Sequence, residues 1–327
     1  MKVVCCPDSL KGVLGAGEAA AALAEGAGAA GAKAVQVPLA DGGEGTAEVL
    51  HRALGGEWRS AKVLDALGRP VTARFLLRPD GGAIVEAAEA IGLARLGASE
   101  LDPLGATSRG LGALLLAAVD AGASHAVVAL GGSATTDGGA GLRQVIDELP
   151  FPVTAACDVS NPLLGPRGAA RVFGPQKGAS PEQVDELERR LEEMPELTPF
   201  RELPGAGAAG GLGAAFAALG AELVRGIDLV LEAVGFDEIV AGGALAVTGE
   251  GAVDASSAEG KVPAGVVAAC ARARVPCVVF GGRVEPAGTS ALIAAGAAEV
   301  TALSGDPQRA LQDLRELGEQ LARRVVV

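Results

Sequence analysis

The sequence predicts an α/β protein: a doubly wound parallel sheet assembled from both ends of the chain, with a mixed-sheet α/β domain inserted between them. Three observations carry this expectation. Short apolar runs alternate with alanine-rich stretches of helical length near both termini. The middle has a hairpin rhythm instead, marked by Gly-Arg-Pro and Pro-Asp-Gly-Gly turns. At 327 residues the chain exceeds the usual size of a single core.

At the front, "KVVCCPD" is a strand, "GEAAAALAEGAGAAG" a helix of small residues, "KAVQVPLAD" a second strand and "TAEVLHRALGG" a second helix. The same grammar returns at the back. "ALAVTGEG" is a strand and turn, "PAGVVAACARARV" a helix, "PCVVFGG" a strand, "TSALIAAGA" a helix and "AEVTALSG" a strand. The last helix starts at Asp306 with Pro307 in its first turn, and Leu311, Leu314, Leu317 and Leu321 form its apolar stripe. Two strands at the front and three at the back make one five-stranded sheet. In the middle, "EWRSAKVLDALGRPVTARFLLRPDGGAIVEAA" reads as antiparallel strands, and "HAVVALGG" and "PVTAACD" as buried strands. "SPEQVDELERRLEEM" is a surface helix, capped by Ser180, with Pro181 in its first position and Gln183 completing a capping box. The expected division is 1–60 with 244–327 for the discontinuous sheet domain and 61–243 for the insert, with an active site in the cleft between them.

Composition narrows the function. Aromatic residues are only 2%, so the core must be packed with Ala, Val and Leu. A net charge of −13 argues against nucleic acid or an anionic membrane, since both demand a basic face. No run of about 20 apolar residues lacks charges, and "MKVVCCPDSLKG" does not have the layout of a secretory leader. The five cysteines form no disulfide or zinc pattern and read as small buried residues in a reducing cytoplasm. Lysine is scarce: of 27 basic residues only Lys2, Lys11, Lys33, Lys62, Lys177 and Lys261 are lysines. Lys11, Lys177 and Lys261 all fall in glycine-rich or proline-flanked turns, where a compact cation suits a phosphate or carboxylate.

Ligands of open α/β sheets bind beyond the carboxyl ends of the strands, and here those ends are rich in chemistry. "PDSLKG" supplies Asp8, Ser9 and Lys11. "PLADGGEGT" supplies Asp41, Gly42, Gly43 and Glu44. "GGSATTDGGAG" supplies Gly131, Gly132, Ser133, Thr135 and Asp137. "ACDVSNP" supplies Asp158 and Asn161, "GPQKG" Gln176 and Lys177, and "TGEGAVDASSAEGK" Glu250, Asp254 and Lys261. Glycine admits backbone N–H groups close to a ligand, lysine neutralises phosphate, and carboxylates hold Mg²⁺ or accept a proton. Together these are the parts of a phosphoryl-transfer site, where positioning and charge neutralisation do most of the catalysis. The chain lacks a GxxxxGK[ST] loop and a GxSxG elbow, and His51 and His125 have no metal-site spacing. "GAGAAG" at 205–210 matches GxGxxG but follows "RELP" rather than a buried strand. It reads as a glycine turn into a close-packed helix, and a nicotinamide-dependent dehydrogenase would rest on it alone.

In order and in wording, "PDSLKG", "PLADGGEGT", "GGSATTDGGAG", "ACDVSNPLLGPRGAARVFGPQKGA", "LPGAGAAGGLGAA" and "TGEGAVDASSAEGKVPAGV" resemble the bacterial glycerate kinase family, from residue 3 to about residue 285. The resemblance implies a flavodoxin-like domain built from both chain ends, a restriction-enzyme-like insert, and ATP-dependent phosphorylation of D-glycerate with 2-phosphoglycerate as the expected product. On it rest ATP and Mg²⁺ as cofactors, glycerate as substrate, and a monomer or homodimer as the assembly. Asp158 is the expected base, with Asn161 orienting it, and Lys11 and Lys261 the expected catalytic cations. Asp8, Ser9, Asp41, Gly42, Gly43, Glu44, Asn161, Gly207, Gly210 and Gly211 are expected on the glycerate side. Gly131, Gly132, Ser133, Thr135, Asp137, Gln176, Lys177, Glu250 and Asp254 are expected on the ATP side, with Asp137 and Glu250 as metal ligands. The chain departs from the family in three places: "LRQVIDELPFPVTA" is shorter than usual, Ser256-Ser257 replaces Gln-Thr, and Arg109 replaces an aromatic residue. A kinase for a related hydroxy acid and a catalytically silent binding module are the alternatives.

Overall fold

The computed structural model describes residues 1–325; Val326 and Val327, the end of the expected 244–327 segment, lie outside the described residues. The strands are β1 Lys2–Cys5, β2 Lys33–Gln36, β3 Glu57–Leu64, β4 Pro70–Leu77, β5 Gly82–Glu86, β6 His125–Ala129, β7 Val153–Cys157, β8 Glu222–Arg225, β9 Leu245–Val253, β10 Cys277–Val284 and β11 Glu299–Ala302. The chain divides into two compact units. The first comprises Met1–Asp41, Glu48–Ala53 and the chain from Ile227 on; the second comprises Gly42–Ala47 and Leu54–Gly226.

The first unit holds a five-stranded sheet in the order β11-β10-β9-β1-β2, parallel throughout, with Val3 opposite both Ala34 and Leu245. Counted along the chain within this unit, that is the 2-1-3-4-5 order of flavodoxin-like doubly wound sheets. Strand alternation sends Val3, Cys5, Val247, Val278 and Phe280 to one face, where they pack on Leu23 of helix Ala16–Ala29 and Leu314, Leu317 and Leu321 of helix Ala310–Val325. Helix Val262–Ala273 packs on β9 and β10. All five cysteines are buried and unpaired; burial pushes the Cys5 thiol up to about 12, so it stays protonated and unreactive.

The last helix differs in detail from the expected stripe. Asp306 does cap, accepting from the Gln308 N–H, but the first turn is 3₁₀ and Leu311 is exposed; Ala310 takes the inward position. β9 also runs further than expected. "TGEG" is strand rather than turn, and pairing with β10 continues to Val253↔Val284. Gly249 makes this possible, since a Cβ there would sit 2.2 Å from the Phe280 carbonyl oxygen.

The second unit holds a six-stranded mixed sheet, β3-β4-β5-β6-β7-β8. β3 to β5 are the expected antiparallel strands, and β5 to β8 are parallel. Its core sets Phe75, Val85 and Val128 against Leu111, Leu114 and Leu115 of helix Arg109–Asp120. A smaller cluster gathers Val184, Leu187 and Leu191 of helix Pro181–Glu192, which carries the expected Ser180–Gln183 capping box. β8 was not foreseen: four residues with Glu222 and Arg225 at its ends give no apolar run to read.

Scarce aromatics are offset by close backbone approach. Helices Ala16–Ala29 and Ala310–Val325 touch through two glycines: a Cβ on Gly26 would lie 1.9 Å from the Arg315 carbonyl oxygen, and one on Gly318 would lie 2.2 Å from that of Leu23. Gly→Ala inside a helix ordinarily stabilises by roughly 0.5–1 kcal/mol. At Gly318 the clash is with backbone, which cannot rotate away, so overpacking of roughly 1–3 kcal/mol dominates. Gly318→Ala is therefore expected to lower the denaturation midpoint in urea, whereas Gly28→Ala, with nothing within 4 Å of the added Cβ, is expected to leave it unchanged or raise it.

Candidate active site

The carboxyl ends of the first unit's strands converge on one cavity of about 570 Å³, lined among others by Asp8, Ser9, Lys11, Asp41, Glu250, Asp254 and Lys261. Backbone pairing beyond the strands places these side chains. Past β1 the chain keeps hydrogen bonding along β9, Cys6 N–H to the Val247 carbonyl at 2.8 Å and Asp8 N–H to the Gly249 carbonyl at 2.9 Å, so Asp8 arrives beside Glu250. Past β2 the Leu39 N–H donates to the Pro7 carbonyl at 3.0 Å, which carries Asp41 to the same end. Lys11 lies on the short turn closed by the Leu10–Leu14 bridge. Lys261 is the residue before helix Val262–Ala273, and its ammonium stands 3.6 Å from a Glu250 carboxylate oxygen.

Asp8, Asp41 and Glu250 are 6%, 7% and 8% exposed, so three carboxylates share little water. Burial, followed by the charge of Asp41, pushes Asp8 well above the usual carboxylate range; the Ser9 N–H, which donates to it at 2.6 Å, opposes this. Burial also raises Glu250, against the pull of Lys261. The second Glu250 oxygen, Oε1, is buried without a hydrogen-bond partner. Buried like charges with one orphaned acceptor suit an incoming cation or hydroxyl. Asp254 is occupied differently. It accepts from the Ser256 N–H at 2.8 Å, and its own N–H donates to Ser257 Oγ at 3.0 Å. The Ser-Ser pair thus completes the cap of the 3₁₀ turn Ala255–Ala258.

A second group of the expected residues comes together in the second unit, after β6. The Lys177 ammonium, 3% exposed, donates to the Thr135 carbonyl at 2.6 Å and to Ser133 Oγ at 3.4 Å, pinning the 131–137 loop; burial pushes its pKa down to about 7. Asp137 accepts from Ser108 N–H and Oγ, both at 2.8 Å, from Gly141 N–H at 3.1 Å and, through its other oxygen, from Gly139 N–H at 3.2 Å. Both carboxylate oxygens therefore organise turns. The Thr135 and Thr136 hydroxyls are buried without hydrogen-bond partners. Gln176 is exposed.

Most of the expected glycines lie against neighbouring backbone. A Cβ on Gly210 would lie 2.0 Å from the Thr135 carbonyl oxygen, one on Gly207 2.3 Å from that of Pro162, and one on Gly211 2.9 Å from Gly138 Cα. A Cβ on Gly42 would meet Gly226 at 2.9 Å, and one on Gly131 would meet Gly43 at 2.6 Å. Gly132, at φ +77, is exposed. Asp158 follows β7 half-buried, and its charge helps raise the Cys157 thiol. Asn161 donates from Nδ2 to the Arg167 carbonyl at 2.7 Å, and its own carbonyl accepts from Gly207 N–H, so it closes a turn. Glu44 is exposed in its turn. Sequence reasoning missed Glu86, a buried carboxylate that ends β5; the one available signal was an acid closing the otherwise apolar run "GAIVE".

The "Glycerate kinase family" model matches this chain in two stretches, residues 3–149 and 147–326. The chain belongs to the glycerate kinase family. The two stretches meet inside the segment between helix Ala140–Arg143 and β7. Among curated relatives, the chain is 40% identical to the glycerate 2-kinase of Escherichia coli K12, covering 86% of this chain and 85% of that protein. It is 39% identical to the glycerate kinase of Bacillus subtilis 168, covering 87% and 86%. A solved protein of Salmonella typhimurium LT2 described as a glycerate kinase 2 superposes with a TM-score of 0.82 at 34% identity, covering 100% of this chain and 98% of that one.

The carboxylate cluster makes a stability prediction. Folding raises the Asp8 pKa, so the stability it contributes is present below the ordinary carboxylate range and is lost as pH rises. In metal-free buffer, Asp8→Asn is therefore expected to melt above the unsubstituted protein at pH 8 and close to it at pH 4. Thermal unfolding followed by circular dichroism at the two pH values checks this, and a lower melting point at pH 8 contradicts it.

Proposed function

We propose that the chain transfers the γ-phosphoryl group of ATP to a hydroxyl of D-glycerate, giving 2-phosphoglycerate and ADP. The observation that carries this reading is the cavity in which three buried carboxylates face Lys11 and Lys261 at the carboxyl ends of β1 and β9. Glycerate brings a carboxylate and hydroxyls, and ATP brings phosphates; the lysines meet the anions and the acids meet the hydroxyls. Asp8 is the base in this reading. Burial and Asp41 hold its proton affinity high, which suits accepting a proton from an alcohol as the phosphoryl group transfers. Asp158 is the alternative base, supported by its place after the parallel strand β7.

Among the described residues no group of three or more His, Cys, Asp or Glu side chains is arranged to hold a metal by itself. Mg²⁺ does not require such a group, since it takes one or two carboxylates together with phosphate oxygens and water. Asp41 and the orphaned Glu250 oxygen fit that need, whereas the Asp137 oxygens are taken up by backbone N–H groups and Ser108. Bound there, Mg²⁺ would neutralise phosphate charge. Ser133, Thr135 and Lys177 act in this reading by shaping the 131–137 loop. The setting is cytoplasmic, supported by five buried free thiols and by the lack, among the described residues, of a helix long and apolar enough to cross a membrane.

ADP release with D-glycerate, followed by NMR identification of the phosphorylated carbon, tests the reaction. Turnover on a related hydroxy acid but not on D-glycerate would move the substrate, and ATP binding without ADP release on any small acid would make the chain a binding module. Lys11→Met and Lys261→Met are each expected to lower kcat/KM at least tenfold while unfolding normally. Asp8→Asn is expected to lower kcat by roughly 10²–10⁴-fold, the usual range for loss of a general base. Normal turnover in Asp8→Asn with loss in Asp158→Asn would transfer the base role to Asp158.

A further inference from the structure

Glu86 closes β5 after Gly82, Ala83, Ile84 and Val85, all buried, and is itself only 7% exposed. A carboxylate there requires partners. Its Oε1 accepts from the Ala47 N–H at 2.7 Å, and the Gly45 N–H also bonds to it. Those two amides open helix Thr46–Leu54. The first turn of a helix presents unpaired N–H donors and the positive end of the dipole, and is ordinarily served by a local Ser, Thr or Asp. Here Thr46 points its hydroxyl back to the Gly43 carbonyl at 2.8 Å, so the cap comes from a residue 39 positions away. The segment held this way is the acidic glycine turn that directly follows Asp41.

We propose that Glu86 is the positioning residue of the Asp41–Thr46 turn: it caps the following helix from outside and so fixes the backbone that presents Asp41 and Glu44. A fixed turn is required because Gly42, Gly43 and Gly45 leave the segment with little stiffness of its own, Gly42 and Gly45 having φ of +91° and +93°. The charged groups facing Glu86 are Glu89, three residues on, and Glu44 of the turn; both are acidic and both favour its protonated form. Burial is the largest influence, and Glu86 is pushed up to about 7. Below that pH the carboxyl gains a proton and one of its two acceptor positions is lost, so the turn loosens as pH falls.

The claim about activity rests on the kinase reading; the claim about the turn does not, and the test separates them. Full-length protein, Glu86→Ala and Glu86→Gln are compared by hydrogen exchange of residues 43–48 and by ADP release from ATP with D-glycerate between pH 5.5 and 9. Glu86→Ala is expected to speed exchange in that segment at least tenfold and to lower kcat at least tenfold, with the KM for ATP within threefold. Glu86→Gln keeps one acceptor for the Ala47 N–H, as the protonated carboxyl does, so it is expected to hold protection and kcat between those of Glu86→Ala and of the unsubstituted protein at pH 9. It is also expected to lack the loss of protection at residues 43–48 that the unsubstituted protein shows below pH 7. Unchanged exchange in Glu86→Ala, or a loss of protection below pH 7 that persists in Glu86→Gln, overturns the proposal. Should Glu86→Ala not fold, the Glu86→Gln profile decides. Should the unsubstituted protein release no ADP with D-glycerate, the kinase reading fails and hydrogen exchange alone decides the role of Glu86.

Discussion

Three carboxylates buried side by side repel one another and are poorly solvated, and such a cluster persists only where the surrounding fold holds it in place. In this chain the fold does so through main chain. The segments after β1 and β2 continue their hydrogen bonding for several residues past the strand ends, delivering Asp8 and Asp41 to the place where β9 presents Glu250. Lys261 at 3.6 Å offsets part of the cost for Glu250. What is left over, a raised Asp8 and an unpaired Glu250 oxygen, is a standing preference for positive charge and for hydroxyl donors.

A chain with so few aromatics cannot hold such a cluster by bulk. It relies on proximity, bringing backbone against backbone wherever glycine removes the Cβ. Gly26 and Gly318 let two helices touch, Gly249 lets β9 continue beneath Phe280, and Gly210 lets a helix start rest on Thr135. Dispersion falls steeply with distance, so many short contacts between small groups replace a few broad ones between rings. The same geometry makes the protein intolerant of single methyl groups at those positions. It also sets glycine-rich segments such as 205–211 directly against neighbouring backbone.

The fold was legible because its signals are local. Alternating apolar runs and alanine-rich helices at both chain ends gave the five-stranded sheet, and turn chemistry gave β3 to β5. β8 was not legible, being four residues with charged ends, and neither was the length of β9, because Gly249 and Gly251 look like a turn until Phe280 is seen beside them. Sequence reading named Asp8, Lys11, Asp41, Glu250, Asp254 and Lys261 from the turns after the apolar runs, and all six line one cavity. It could not sort carboxylates facing a cavity from those occupied with turns. Asp137, like Glu250, lies in a glycine-rich stretch after an apolar run, and only its hydrogen bonds to Ser108 and to backbone N–H groups set it apart. Glu86 was invisible for the opposite reason: its partners, Gly45 and Ala47, lie some forty residues earlier.

The acidic glycine turn "PLADGGEGT" has the outline of a phosphate loop, a strand leading through glycines into a helix start. Its charge argues otherwise, and so does its hydrogen bonding. The donors that would receive a phosphate are the amides at the head of helix Thr46–Leu54, and Glu86 already occupies them with a buried carboxylate. A phosphate would have to displace that carboxylate while approaching Glu44 and Asp41, meeting negative charge at each step. The glycines admit neighbouring backbone, Gly226 beside Gly42 and Gly131 beside Gly43. An internal carboxylate thus stands where a phosphate loop would hold its ligand, bonded to the Gly45 and Ala47 amides.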